Sequence, residues 1–163
     1  MTIILKNKET LVFKDFNFKC CIGKNGTTNN KFEGDNKTPK GLFSIDKVYY
    51  RKDKNIKPIT KLNTISINRK MGWCNDVTNK KYNRLIKINK NIKYEKMFRK
   101  DYKYDYIVPI NFNTKKTKIG RGSAIFIHLT KNYKPTAGCI ALKKKDFLIL
   151  LRLINKKTKI KII

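Results

Sequence analysis

Ten short β-prone runs, separated by polar turns rich in Asn and Lys, dominate the sequence. Turn-forming residues occupy segments 23–26, 38–41 and 111–113, and turns of this kind end one strand before the next begins. The spacing predicts a mainly β protein with a β-sandwich or barrel-like sheet. The candidate strands are residues 2–6, 10–14, 16–22, 42–49, 63–67, 84–88, 104–110, 123–129, 139–142 and 157–163.

One helix is predicted near the C-terminus, with Asn155 as its stop signal. Its apolar residues recur at the spacing of a single helix face: Phe147, Leu150, Leu151 and Ile154. We expect this face to pack against the sheet. A shorter helical turn is predicted around residues 94–99. A chain of 163 residues has the size of one domain, so residues 1–163 are predicted to form a single domain.

The chain is strongly basic, with 40 Lys and Arg residues against 11 Asp and Glu and a formal net charge of +29. The abundance of Lys, Asn and Ile indicates an AT-rich coding sequence. That bias explains why Lys outnumbers Arg, but it does not explain the excess of bases over acids. Because a positive surface attracts anionic partners, the candidate partners are nucleic acid, an anionic membrane and an anionic cell-wall polymer.

We searched the sequence for a transmembrane segment and for a signal peptide. No segment is apolar over the ~20 residues needed to span a bilayer. Residues 1–8 contain too short an apolar run for the core of a signal peptide. We therefore expect no transmembrane segment, and no signal peptide is visible in the chain.

The cysteines do not form a metal-binding pattern. There is no C-x-x-C pair, and the spacing to the single histidine does not support a zinc site, so no metal is expected among Cys20, Cys21, Cys74 and Cys139. If Cys139 is a free thiol, the other three cysteines can form at most one internal disulfide. We interpret Cys20 and Cys21 as ordinary strand cysteines, at least one of them buried.

His128 and Cys139 form the one candidate catalytic pair. His128 ends an apolar, β-prone stretch, and after a short polar loop Gly138-Cys139 opens a second apolar stretch. Two strands joined by a loop can bring the imidazole and the thiol together, which is the basic unit of cysteine nucleophilic catalysis. The backbone N–H groups of Gly138 and Cys139 are candidates for an oxyanion hole. Taken singly, each residue is better explained as an ordinary core residue, a satisfied histidine or a buried structural thiol.

Three segments, in this order, resemble the L,D-transpeptidase (YkuD-like) catalytic domain. They are the Thr-Pro-x-Gly-x-Phe region at 34–45, the strand ending in His128 at 120–128, and Thr-x-Gly-Cys followed by an apolar residue at 136–142. The resemblance spans roughly residues 18–155. It implies a YkuD-like β fold with a C-terminal helix, and a backbone carbonyl close to Leu129 that orients the ring of His128.

The resemblance also implies peptidoglycan chemistry. Cys139 would attack the carbonyl of the third residue of a stem peptide, with His128 as general base and then general acid. An amine acceptor would form a cross-link, and water as acceptor would make the protein an L,D-carboxypeptidase. No cofactor is implied, the partner is the peptidoglycan stem peptide, and the location is periplasmic or cell-wall-associated. We expect a monomer.

The loop between His128 and Cys139 is shorter than in many family members, and Ala141 replaces an arginine frequent in the family. Arg121 or nearby lysines are candidates to replace that arginine. Further candidates for substrate binding are Thr136, Tyr82 and Asn83, whereas Trp73 is expected in the core. Two other hypotheses are a different Cys-His acyl-transfer hydrolase and a basic nucleic-acid-binding protein. The second has no recognised motif, so no nucleic acid is expected.

Overall fold

A computed structural model describes all 163 residues, and it is mainly β with a single helix. The elements, in chain order, are β1 (Thr2–Leu5), β2 (Thr10–Phe13), β3 (Phe16–Cys21), β4 (Thr27–Thr28), β5 (Thr38–Pro39), β6 (Gly41–Ser44), β7 (Lys47–Tyr50), β8 (Asn63–Ser66), β9 (Met71–Cys74), β10 (Leu85–Lys87), β11 (Tyr94–Lys96), β12 (Tyr106–Pro109), β13 (Phe126–Leu129), β14 (Ile140–Leu142), α1 (Lys144–Leu153) and β15 (Lys159–Ile162). The predicted mainly β fold with a C-terminal helix is confirmed.

Ten strands form one sheet in the order β6-β15-β1-β2-β3-β14-β13-β12-β7-β8. β6 and β7 lie far apart in this order, yet only two residues separate Ser44 from Lys47. A chain advances at most 3.8 Å per residue, so these two parts of the sheet come within roughly 11 Å of each other. The Asn111 N–H also donates to the Ser44 carbonyl across this gap at 2.9 Å. The sheet is therefore curled, and the strand predicted at 42–49 is two strands.

A smaller sheet, β10-β9-β11, corrects two expectations. β9 was not predicted, and the helical turn predicted at 94–99 is wrong because residues 94–96 form β11, antiparallel to β9. This pairing depends on Gly72, where a Cβ atom would lie 2.8 Å from the ring of Tyr94. Contact with a neighbouring strand thus decided the structure of a segment whose local sequence fits either form.

The central strands bury both of their faces. On β13 and β14, Ile127, Leu129, Ile140 and Leu142 point into the main core, which also holds the α1 residues Phe147, Leu150 and Leu151. Phe126 and Cys139 belong to a second cluster on the opposite face, with Trp73, Met97 and Tyr104. Side chains alternate between the faces of a strand, so His128, two residues after Phe126, also points to this second face.

The structure contains no disulfide bond. All four cysteines are free and buried, including Cys20 and Cys21 in β3 as predicted. α1 has ten residues, and no helix is long and apolar enough to cross a membrane. No group of three His, Cys, Asp or Glu side chains lies together as a metal site would require.

The packing of α1 predicts a large stability difference between two identical substitutions. Leu150 is 2% exposed in the main core, whereas Leu42 in β6 is 54% exposed. We expect Leu150→Ala to lower the free energy of unfolding by about 2–5 kcal/mol, because it leaves a cavity. Leu42→Ala should change it by about 0.5 kcal/mol or less. Urea unfolding followed by circular dichroism measures both, and equal losses would contradict this packing.

Candidate active site

The parallel pairing of β13 with β14 places His128 and Cys139 on the same face of neighbouring strands. Ile127 pairs with Ile140, and His128 pairs with Ala141. Cys139 lies one residue before β14 and is therefore level with Phe126. His128 is two residues after Phe126 on β13, so its side chain and that of Cys139 point to the same face. Both side chains line one cavity of about 590 Å³. The two residues lie on neighbouring parallel strands and not at the adjoining ends of a hairpin, and the hydrogen bonds of the thiol go to backbone groups and not to the imidazole.

The Cys139 thiol is buried and held by backbone groups. It is 8% exposed. Its S–H donates to the Ala124 carbonyl at 3.2 Å, and its sulfur accepts the Phe126 N–H at 3.3 Å. Burial raises the pKa of Cys139 to about 12, although the nearby charges of Lys31 and Arg99 act in the opposite direction. The positive surroundings therefore do not produce a resting thiolate, contrary to what the net charge suggests.

His128 is held in one tautomer by a backbone carbonyl. Its Nδ1 lies 3.0 Å from the Leu129 oxygen. A carbonyl can only accept, so Nδ1 carries the proton and Nε2 keeps a free lone pair. This carbonyl is the orienting group that the family resemblance implied. Burial lowers the pKa of His128 to about 4, and the ring packs edge-on against Tyr104 with centroids 5.4 Å apart.

These two environments define what the pair can do. Both groups are neutral near pH 7, since the thiol keeps its proton and the imidazole does not take one up. An imidazole with a free Nε2 is a general base and can remove the thiol proton as the sulfur attacks. The arrangement favours proton transfer during attack over a preformed ion pair.

Hydrogen bonds from two motifs fix the turn before Cys139. Thr136 Oγ1 accepts the Gly138 N–H at 3.1 Å and donates to the Cys139 carbonyl at 2.6 Å. Thr38 Oγ1 donates to the Gly138 carbonyl at 2.9 Å and accepts the Gly23 N–H at 3.0 Å. The Thr-Pro-x-Gly-x-Phe segment thus supports the nucleophile loop, a role its sequence does not reveal.

Gly138 itself is required by geometry. Its φ is +137°, and a Cβ atom would lie 2.8 Å from the carbonyl oxygen of Lys37. Of the two N–H groups predicted for the oxyanion hole, that of Gly138 is occupied by Thr136, whereas that of Cys139 makes no hydrogen bond. The Cys139 N–H is therefore the donor that is free in this conformation.

The predicted substrate-binding residues separate into two groups. Thr136 lines the cavity. Arg121 does not: it is exposed, donates to the Asn30 side chain at 2.8 Å and lies over the ring of Phe32. The expectation that Arg121 replaces the family arginine is therefore not supported by its position.

Tyr82 and Asn83 do not line this cavity, and their direct contact with substrate stays a prediction. Tyr82 is fully buried and donates to the Glu33 carboxylate. The Asn83 side-chain oxygen accepts the Trp73 indole N–H at 2.9 Å and the Ala124 N–H at 3.1 Å. Asn83 thereby holds the segment that carries the Ala124 carbonyl, and Tyr82 shares its acceptor, Glu33, with Ser123 in the same segment. Trp73 packs in the second cluster, as expected.

The cavity also contains charged residues that sequence reasoning missed. Arg99 lines it and donates to Glu95 at 3.2 Å, and Glu95 also accepts the Tyr104 hydroxyl at 3.0 Å. Three lysines are on the wall: Lys31, Lys103 and Lys134. Nothing distinguishes these residues in a chain so rich in Lys and Tyr, and the helix predicted at 94–99 obscured Glu95 and Arg99.

The single histidine makes the state of the site directly measurable. Burial should move the NMR titration midpoint of His128 to about 4, against ~6.5 in the urea-unfolded chain. Above that midpoint, the ¹⁵N shifts should show the tautomer protonated at Nδ1. The unfolded state takes up the proton first on acidification, so stability falls as the pH drops from about 6.5 to about 4.

A folded-state midpoint at or above 6.5, or a tautomer protonated at Nε2, would contradict the assigned hydrogen bond and the burial of the ring. Circular dichroism across the titration confirms that the chain stays folded. Because His128 is the one histidine in the sequence, no other imidazole signal can be mistaken for it.

Comparison with known proteins identifies the family. No curated protein and no solved structure matches the chain. The family described as the L,D-transpeptidase catalytic domain, YkuD, matches across residues 1–162. Proteins of this family act on peptidoglycan. The chain belongs to the YkuD family of L,D-transpeptidase catalytic domains.

Proposed function

We propose that the protein is a peptidoglycan L,D-transpeptidase that uses Cys139 as nucleophile and His128 as general base. The observation that carries the proposal is that a buried thiol and an imidazole whose Nε2 makes no hydrogen bond line the same cavity, in a chain that belongs to this family. Family membership supports the reaction class, and the geometry of the site supports the choice of nucleophile and general base.

Acylation begins on a stem tetrapeptide. His128 Nε2 takes the proton of Cys139 as the sulfur bonds to the carbonyl carbon of the third residue. The Cys139 N–H donates to the oxyanion that forms. When the intermediate collapses, the C–N bond to the terminal D-alanine breaks and His128 returns its proton to the leaving amine. A thioester on Cys139 remains, and the imidazole is neutral again.

Transfer repeats these steps with an amine of a neighbouring stem peptide. The amine attacks the thioester and loses a proton to His128, an amide bond forms, and the sulfur leaves and regains the proton. Atoms and charges balance without a metal or cofactor. Water in place of the amine would give hydrolysis, so the acceptor distinguishes the transpeptidase from an L,D-carboxypeptidase.

The charges of the cavity fit a substrate with carboxylate and ammonium groups. Lys31, Lys103 and Arg99 offer cationic partners, and Glu33 and Glu95 offer anionic ones. Stem peptides carry both kinds of group. We propose a periplasmic or cell-wall location and a monomeric protein, as the site needs no residue from a second chain.

Product analysis tests the reaction. Incubation with purified disaccharide-tetrapeptide should give cross-linked dimer by mass spectrometry, with release of D-alanine. Cys139→Ala should abolish the product, and His128→Gln should lower the rate by ~10²–10⁴-fold. Cys21→Ala removes a different buried thiol and is the matched control. Tripeptide alone would identify a carboxypeptidase, and full activity of folded Cys139→Ala would refute the mechanism.

Covalent labelling tests the nucleophile separately. A carbapenem should acylate Cys139 faster than the other three cysteines, because an adjacent imidazole can take its proton while the ring carbonyl is attacked. Burial raises the pKa of Cys20 to about 12 without such a partner. Peptide mapping locates the adduct, and an adduct mainly on Cys20, Cys21 or Cys74 would exclude Cys139.

A further inference from the structure

We propose that one surface of the protein binds an anionic phospholipid bilayer. The surface consists of a second cavity lined by lysines, here called the lysine cavity, and the neighbouring loop 52–61, here called the isoleucine loop. The proposal is independent of the acyl-transfer mechanism, since neither feature contains Cys139 or His128.

The lysine cavity has a volume of about 470 Å³ and adjoins the active-site cavity. The two share Tyr102, Leu129 and Thr130. Four of its lining residues are Lys131, Lys143, Lys144 and Lys145, and none of them lies within 4 Å of a carboxylate oxygen.

Two of these lysines are positioned by aromatic rings. Lys131 Nζ lies 4.4 Å from the ring centroid of Tyr102, and Lys143 Nζ lies 5.4 Å from that of Tyr133. The single acid on the wall, Asp105, faces Lys54 at 3.9 Å. Four lysines against one acid leave this concave surface with an excess of positive charge that concentrates the field there, so the cavity suits a phosphate group.

The isoleucine loop holds the two most exposed large apolar side chains of the chain. Ile56 is 86% exposed and Ile59 is 70% exposed. The loop is anchored: Pro58 between them is buried, the Tyr106 hydroxyl donates to the Ile56 carbonyl at 3.1 Å, and Lys54 Nζ donates to the Lys100 carbonyl at 2.8 Å. An anchored backbone thus presents both isoleucines to the outside.

The two features are in contact, and their combination selects the partner. Lys144 Nζ, from the lysine cavity, donates to the side chain of Asn55 in the isoleucine loop at 2.8 Å. Four more lysines belong to this loop: Lys52, Lys54, Lys57 and Lys61. A polyanion such as nucleic acid or a wall polymer would use the lysines but has no apolar phase for the isoleucines. An anionic bilayer accommodates both.

Vesicle binding tests the proposal with the full chain. Phosphatidylcholine vesicles containing phosphatidylglycerol should sediment the protein, and pure phosphatidylcholine vesicles should not. Replacing Ile56 and Ile59 together by Ser should weaken binding at least tenfold. The matched control replaces Ile119 and Ile163 by Ser, which are also more than half exposed, and should bind like wild type.

Charge variants test the lysine cavity. Replacing Lys143, Lys144 and Lys145 by Gln should weaken binding by roughly a hundredfold, at roughly fivefold per lysine near an anionic surface. The same replacement at the exposed Lys87, Lys90 and Lys96 removes equal charge from β10, β11 and the turn between them and should weaken binding much less. Equal losses in both variants would refute a localised site.

Insertion separates a bilayer from a polymer. The native Trp73 is 9% exposed, so Ile56→Trp adds a solvent-exposed reporter. Its emission should shift to the blue with phosphatidylglycerol vesicles and stay unchanged with soluble polyphosphate. An unchanged emission with vesicles would overturn the proposal. Binding of the Ile56 and Ile59 double variant at the wild-type level would also overturn it, and would indicate that the lysines alone bind a polyanion. Acyl transfer on soluble tetrapeptide should be unaffected in every variant, which keeps this test distinct from that of the proposed function.

Discussion

The parallel pairing of β13 with β14 is the constraint on which the site depends. In this register His128 and Cys139 share the face opposite the main core. A shift by one residue would turn one of the two side chains into the core, since successive residues of a strand face opposite sides. Both strands are buried on both faces, so a shifted register would exchange side chains between two packed clusters and would misfit both of them. The stability of the core therefore also secures the catalytic geometry.

Burial sets the chemistry of the pair more strongly than net charge does. The chain carries a formal charge of +29, yet the pKa of Cys139 is raised and that of His128 is lowered, in both cases mainly by loss of solvent. Most of the basic side chains are exposed, where water and salt screen them. A neutral pair has no charge to stabilise at rest, and in the proposed mechanism charge develops only once substrate is bound, where the Cys139 N–H would donate to it.

The walls of the site come from segments distant in sequence, and each contributes a backbone group in a fixed position. Thr38 and Thr136 hold the turn at Gly138, and Asn83 holds Ala124, whose carbonyl accepts the thiol proton. Tyr82 and Ser123 both donate to Glu33 at the cavity. These side chains fix the backbone around the candidate site by hydrogen bonds. This explains why substitution at buried positions outside the cavity would disturb the site.

The sequence by itself determined the strand-rich fold, the helix whose apolar face includes Phe147 and Leu150, the order of three motifs and the candidate pair His128 and Cys139. Each of these follows from local pattern, from side-chain periodicity or from short motifs. Only the tertiary structure decided that residues 94–96 form a strand, that Arg121, Tyr82 and Asn83 lie outside the cavity, and that Glu95 and Arg99 lie in it. Those outcomes depend on which distant segments meet and on how much water they exclude. Neither is encoded in the neighbourhood of a single residue, because packing and desolvation are properties of the folded chain.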